Sequence, residues 1–186
     1  MRVAAAKRES TADVIVAAAT QCWAADPSAT LDDVATIAGV GRATLHRHFP
    51  GGRIDLLHAC ATEGIRALDE ALTAAEVDAA PPATAIDLLI DVLVQSGHRL
   101  HFLLVVDLSQ DDDIERAEQQ INARIQAILD RATTQGLLRR DVSRVWRFRV
   151  LEALVYAGWT AIANGEIAPL DAPVLVRDSL YRGFGT

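Results

Sequence analysis

The chain has 186 residues, of which 51% are apolar and 23% charged, with a formal net charge of −7. That apolar content excludes a disordered chain, and at this length roughly 70% of the unfolded surface is buried on folding. The acidic balance excludes generic coating of nucleic acid. Alanine aside, the longest aliphatic or aromatic run is Phe102-Leu103-Leu104-Val105-Val106, far short of the roughly 20 residues of a membrane span.

The N-terminal MRVAAAKRES carries Arg and Lys without an apolar stretch behind them, so it does not read as a leader. No window alternates apolar and polar residues in the manner of a strand, and the expectation is an all-α fold. A first helix is predicted over 10–25, with Val14, Ile15, Ala18, Cys22 and Trp23 on one stripe and Pro27 closing it. Thr30-Leu-Asp-Asp33 matches the T-x-x-[DE] capping box and starts a short second helix ending near Ala38. Gly39 supplies a turn, and a third helix spans 41–49 until Pro50-Gly51-Gly52 stops it. A fourth runs from Arg53 to about Leu72.

Pro81-Pro82 is the clearest break. Beyond it 83–94 is apolar nearly all round, with Asp87, Asp91 and Gln95 as a narrow polar strip, which marks a core helix. Gly97 allows a bend before a second apolar piece, 98–108. Ile114, Ala117, Ile121, Ile125, Ile128 and Ala132 follow helical spacing, and Asp111-Asp112-Asp113 suits the dipole at that helix's start. A long helix over 141–164 is apolar on two faces, and a last one covers 173–184. Cys22 and Cys60 lack metal-ligand spacing and read as reduced thiols of a cytoplasmic protein.

Charge is uneven along this order. Through Gly64 there are six Lys+Arg against seven Asp+Glu, and the cations gather at residues 42 to 53. Two short helices joined at Ala38-Gly39-Val40 have the proportions of a helix-turn-helix, whose second helix enters the major groove. With Leu45 and Phe49 buried, Ala43 and Arg47 point outward, Thr44 and His46 flank them, and Arg42 and His48 lie at the margins. That face carries donors for phosphate and short side chains, and no carboxylate.

The stretch 30–49 resembles the N-terminal domain of the TetR family of bacterial repressors. Thr30-Leu-Asp-Asp-Val34-Ala35 stands where the family has T-x-x-x-I/V-A, Ala38-Gly39-Val40-Gly41 for A-G-V-S, and His46-Arg47-His48-Phe49 for Y-x-H-F. Pro50 and Leu56-Leu57 match the usual entry to the fourth helix, so the likeness covers about fifty residues. A weaker match is Gly136-Leu137-Leu138-Arg139-Arg140-Asp141-Val142, at the family's junction before its first dimer helix. Three positions depart: Gly41 replaces Ser, His46 replaces Tyr, and Gly51-Gly52 adds one residue before the leucine pair. The last sets the family's basic residue at Arg53 or one position away from it.

The resemblance implies a helix-turn-helix DNA-binding domain over 1–60 and a helical effector-binding and dimerisation domain over 61–186. It implies a sequence-specific regulator, a repressor released from near-palindromic double-stranded operator DNA by a small-molecule effector. It further implies a homodimer built on 141–164 and 173–184, with no cofactor and no membrane partner. The DNA-binding residues expected are Thr30, Arg42, Ala43, Thr44, His46, Arg47, His48 and Arg53. The effector is expected against Asp91, Gln95, His98, His101, Phe102 and Trp146. His98 and His101 without a third ligand do not make a metal site, and Arg144, Arg147 and Arg149 read as solvent or subunit-interface cations. The rival is a helical-bundle enzyme or carrier with an incidental turn. No G-x-S-x-G, H-E-x-x-H, P-loop or G-x-G-x-x-G nominates a reaction, so no enzyme is expected.

Overall fold

A computed structural model describes residues 10–101 and 111–186. Among them run nine helices: α1 Thr11–Ala25, α2 Leu31–Ile37, α3 Arg42–His48, α4 Arg53–Ala74, α5 Pro82–Gln95, α6 Gly97–Leu100, α7 Asp112–Thr134, α8 Arg144–Ala163 and α9 Ala172–Phe184. There is no strand among the described residues, only an isolated antiparallel bridge between Leu138 and Gly185. No helix among them is long and apolar enough to cross a membrane. The chain divides into two compact units, Met1–Glu63 and Gly64–Thr186, with the boundary inside α4.

In the first unit, Ser10 and Asp13 close a reciprocal capping box on α1, and Thr30 and Asp33 do the same on α2. Each box satisfies backbone donors that a helix start otherwise leaves open. Ile15, Ala19 and Trp23 of α1, Val34 of α2, Leu45 of α3 and Leu56 of α4 are all but completely buried and form this unit's core. Cys60 lies within it, its thiol pushed up to about 11 by burial, and Cys22 is raised too, first by burial and then by Asp33. Both thiols are free.

The second unit is organised around α5, which packs on α7, α8 and α9, while α8 pairs with α7 and α9. Ala85, Ile86, Leu89 and Ile90 are buried to 0% exposure, as the nearly all-round apolar sequence requires. Pro82 occupies the first turn of α5, where a missing N–H breaks nothing. Asp111 caps α7 by accepting from the amides of Asp113 and Ile114, and Ser143 caps α8 by accepting from that of Trp146. At α6 the chain comes so close to α8 that a Cβ on Gly97 would collide with the indole of Trp159, whose N–H donates to the Leu93 carbonyl at 2.9 Å.

Arginines join the helices of this unit. Arg124 of α7 reaches Asp69 and Thr73 of α4 and Asp78 beyond it. Arg177 of α9 meets Asp91 at 2.9 Å and Asp87 at 2.8 Å on α5. Arg147 is a correction to the sequence reading. Instead of facing solvent or a partner it is 6% exposed, donating to the carbonyls of Arg139 at 3.1 Å and Val142 at 2.6 Å. It thereby holds the α7–α8 connection, to which the Phe184 carbonyl is tied by the Arg139 amide.

Candidate nucleic-acid interface

The geometry of α2 and α3 follows from three local choices. Thr30 accepts the Asp33 amide through its hydroxyl, while Asp33 accepts the Thr30 amide at 2.8 Å and its hydroxyl at 2.6 Å. Those bonds to Thr30 hold the Asp33 carboxyl below the usual carboxylate range. Gly39 then turns the chain at φ +66°, a left-handed conformation that side chains other than glycine rarely take. Finally Leu45, 1% exposed, and Phe49 anchor α3 into the core and so dictate which side faces out.

That outward side carries Arg42, Ala43, His46, Arg47 and His48, all exposed, with Thr44 half-buried beside them. No acidic residue lies on α3. Gly41 caps the helix without a side chain, its carbonyl accepting from the amides of Thr44 and Leu45. Arg47 has no ion pair among the described residues. Arg42 does have one, a close contact with Asp32 in the first turn of α2.

Arg53 sits differently from the rest of the predicted set. Its guanidinium donates to the carbonyls of Ala29 at 2.8 Å and Pro27 at 2.6 Å, and lies 4.4 Å above the ring of Trp23. Trp23 donates to the same Ala29 carbonyl at 3.1 Å. Arg53 therefore clips the α1–α2 connection beneath the start of α4. Gly51 and Gly52 make this possible: Gly52 takes φ +68°, and the Gly51 amide donates to Asp55 at 2.6 Å.

The residues expected around an effector have separate partners among the described residues. Asp91 is engaged by Arg177 on the α9 side of α5. Gln95 and His98 are exposed neighbours, with Nδ1 of His98 2.7 Å from the Gln95 carbonyl. His101 is half-buried with Nε2 3.4 Å from the Thr160 hydroxyl of α8. Trp146, expected as a wall, is 59% exposed, because the first turn of α8 buries Arg147 and Phe148 instead. Phe102 lies outside the described residues. Among the described residues no three metal-ligating side chains group together.

Two features went unread in the sequence. Asp32 looks like an ordinary first-turn acid, and its partner stands ten residues on, across the turn. The second is a run of exposed apolar side chains on α8, α9 and their connection: Val145, Trp146, Leu170, Val174 and Leu175, each at least half exposed. A helix with apolar residues on two faces was legible, but not which of them the α8–α9 pairing leaves open.

No family model matches the chain. It is 31% identical over 159 residues to the HTH-type transcriptional repressor LfrR of Mycolicibacterium smegmatis, a match covering 85% of this chain and 82% of LfrR. It is 29% identical over 146 residues to the HTH-type transcriptional regulator NfxB of Pseudomonas aeruginosa, covering 76% and 77%. Among solved structures, the TetR-like regulator LfrR in complex with proflavine superposes with a TM-score of 0.80 at 28% identity, covering 95% of this chain and 97% of that one. The ketosteroid regulator KstR2 of Mycobacterium tuberculosis gives 0.72 at 15% identity over 98% of each chain, which is a likeness of fold.

Proposed function

The chain belongs to the TetR family of helix-turn-helix transcriptional regulators, and from that premise we propose a cytoplasmic, homodimeric repressor that leaves near-palindromic operator DNA when a small molecule binds. The observation that carries the reading is the acid-free outer face of α3, where Ala43, His46, Arg47 and His48 stand exposed while Leu45 and Phe49 fix the helix from behind. Arg47, Thr44 and Thr30 take phosphates, and Arg42 and Ala43 lie nearest the base edges. The unit Met1–Glu63 reads DNA, and Gly64–Thr186 binds effector and partner.

The dimer rests on the exposed apolar residues of α8 and α9. A two-fold contact uses the same surface on both copies, and Val145 and Trp146 of α8 with Val174 and Leu175 of α9 are exposed apolar side chains available to it. Two copies of α3 then meet half-sites about one helical turn apart or a multiple of it.

The effector belongs near Gln95, His98 and His101, before the Trp159 indole. Proflavine, bound by LfrR, is the first compound to try. An effector that prefers the released arrangement a hundredfold supplies about 2.7 kcal/mol per site. By linkage, operator DNA weakens effector binding by the same factor. Because the chain passes between its units within α4, a continuous helix is available to transmit the change.

The test is selection of bound duplexes from randomised DNA, followed by titration of compounds with and without the recovered fragment. A palindromic consensus and a compound whose affinity falls in the presence of DNA support the reading. Recovery of no sequence favours the helical-bundle enzyme or carrier, and identical effector affinities rule out the coupling.

A further inference from the structure

We infer that Asp32 is a specificity-determining positioning residue, which holds the Arg42 guanidinium away from the phosphate backbone and presents it to base edges. This rests on the reading of α3 as the DNA-reading helix. Asp32 suits the dipole at the start of α2, but any carboxylate in that turn would do so without reaching Arg42. The capping of α2 belongs to Asp33, whose carboxylate takes the Thr30 amide and hydroxyl. Its own carboxylate meets the Arg42 guanidinium across the turn, while its backbone carbonyl accepts the Thr36 hydroxyl.

Stability does not account for the pair. The two side chains are 49% and 73% exposed, and ion pairs in water at that exposure contribute little. Nor is Arg42 placed for the benefit of α3, since a cation on the first turn opposes the helix dipole. For generic affinity the arrangement is adverse: it neutralises one of the two arginines on α3 and puts a carboxylate beside it. A free arginine on this surface would slide onto the nearest phosphate, a contact that carries no sequence information. A guanidinium has five donors in a fixed fork. One carboxylate takes at most two, so those left over can meet a guanine edge from a set direction. The pair thus lowers attraction to any DNA and keeps the fork where a wrong base leaves it unsatisfied.

The experiment uses the full chain, the fragment recovered from randomised DNA and a scrambled duplex of equal length, each titrated across a salt series. Asp32→Asn should raise affinity for the scrambled duplex about tenfold and steepen the salt slope by about one phosphate contact. The preference for the recovered fragment should fall by about the same factor. In an Arg42→Ala background the same substitution should give a smaller gain, common to both duplexes, and change the preference between them by no more than about twofold, since the coupled partner is gone. Asp32→Glu keeps the charge, so affinity for the scrambled duplex should hold, and thermal melting of every variant checks that it is folded. Equal gains from Asp32→Asn in both backgrounds would overturn the proposal, because Asp32 would then act by simple repulsion. So would an unchanged salt slope in the wild-type background, or a gain for Asp32→Glu as large as for Asp32→Asn. If Arg42→Ala by itself leaves fragment affinity and base preference untouched, it is the reading of this end of α3 that fails.

Discussion

Arg47 on α3 stands in solvent with no ion pair among the described residues, whereas Arg124, Arg147 and Arg177 of the second unit each reach across to other elements and find carboxylates or carbonyls waiting. Arginine has one chemistry, a rigid fork of donors that is always charged. What differs is whether the protein itself satisfies the fork. For Arg124, Arg147 and Arg177 it does, and each ties its helix to another element. In Met1–Glu63 it satisfies Arg53 but leaves Arg47 open, so the open donors await acceptors from elsewhere. An arginine's role is therefore read from its partners and not from its position in a basic stretch.

Substitution to alanine breaks or sharpens this contrast, and the expected losses of stability form a series. Arg147→Ala should cost about 3 kcal/mol, since it removes a buried guanidinium and leaves the part-buried carbonyls of Arg139 and Val142 without donors. Thermal melting should drop by roughly 6–12 °C; a drop under about 2 °C would mean that water replaces the guanidinium freely. Arg124→Ala should cost about 1–2 kcal/mol, because the guanidinium is only 17% exposed but Asp69 and Asp78 are more than half exposed and screened. Urea unfolding measures it, and an unchanged midpoint would reduce the link between α7 and α4 to decoration.

Arg53→Ala should cost about 1 kcal/mol through the Trp23 stacking and the two carbonyl bonds. Its effect on DNA binding should leave the salt slope as it was. A slope shallower by about one would return Arg53 to the phosphate contacts. Arg47→Ala should fall within about 0.5 kcal/mol of wild type in stability. Its signature is on DNA, where affinity drops across sequences and the salt slope decreases by about one. A clear loss of stability without that change of slope would place Arg47 on the structural side of the comparison.

What could be read from the sequence follows the same division. Thr30, Asp33, Gly39, Leu45 and Phe49 act over three to five residues, so the capping box, the turn and the outward face of α3 were all visible as spacing. The all-helical class and the order of the helices were visible for the same reason. The partners of Arg147, Arg177 and Arg53 are set by packing. Arg177 meets Asp87 and Asp91 from nearly half the chain away, so the polar strip on α5 was visible as spacing while the cation that pairs with its two carboxylates was not. Arg53 stands at the position where the family resemblance expects a basic residue for DNA. Its guanidinium, still exposed, lies over a tryptophan 30 residues earlier and donates to the carbonyls of Ala29 and Pro27, contacts that no local spacing announces. Trp146 and Arg147 are adjacent on α8, and only the pairing of α8 with α9 and α7 decides which of the two is covered.

The three tryptophans occupy three different surroundings: Trp23 is fully enclosed in the first unit, Trp159 is enclosed in the second, and Trp146 is open to water. Native emission is therefore a sum of separable signals, each belonging to one event. Iodide should quench Trp146 and spare the other two, and that quenching should fade as concentration drives two copies together. Trp23, under the Arg53 guanidinium, reports on the connection that seats the reading helix, and Trp159 on the neighbourhood proposed for the effector. With Trp146→Phe as background, DNA binding and ligand binding could be followed in one cuvette without any label.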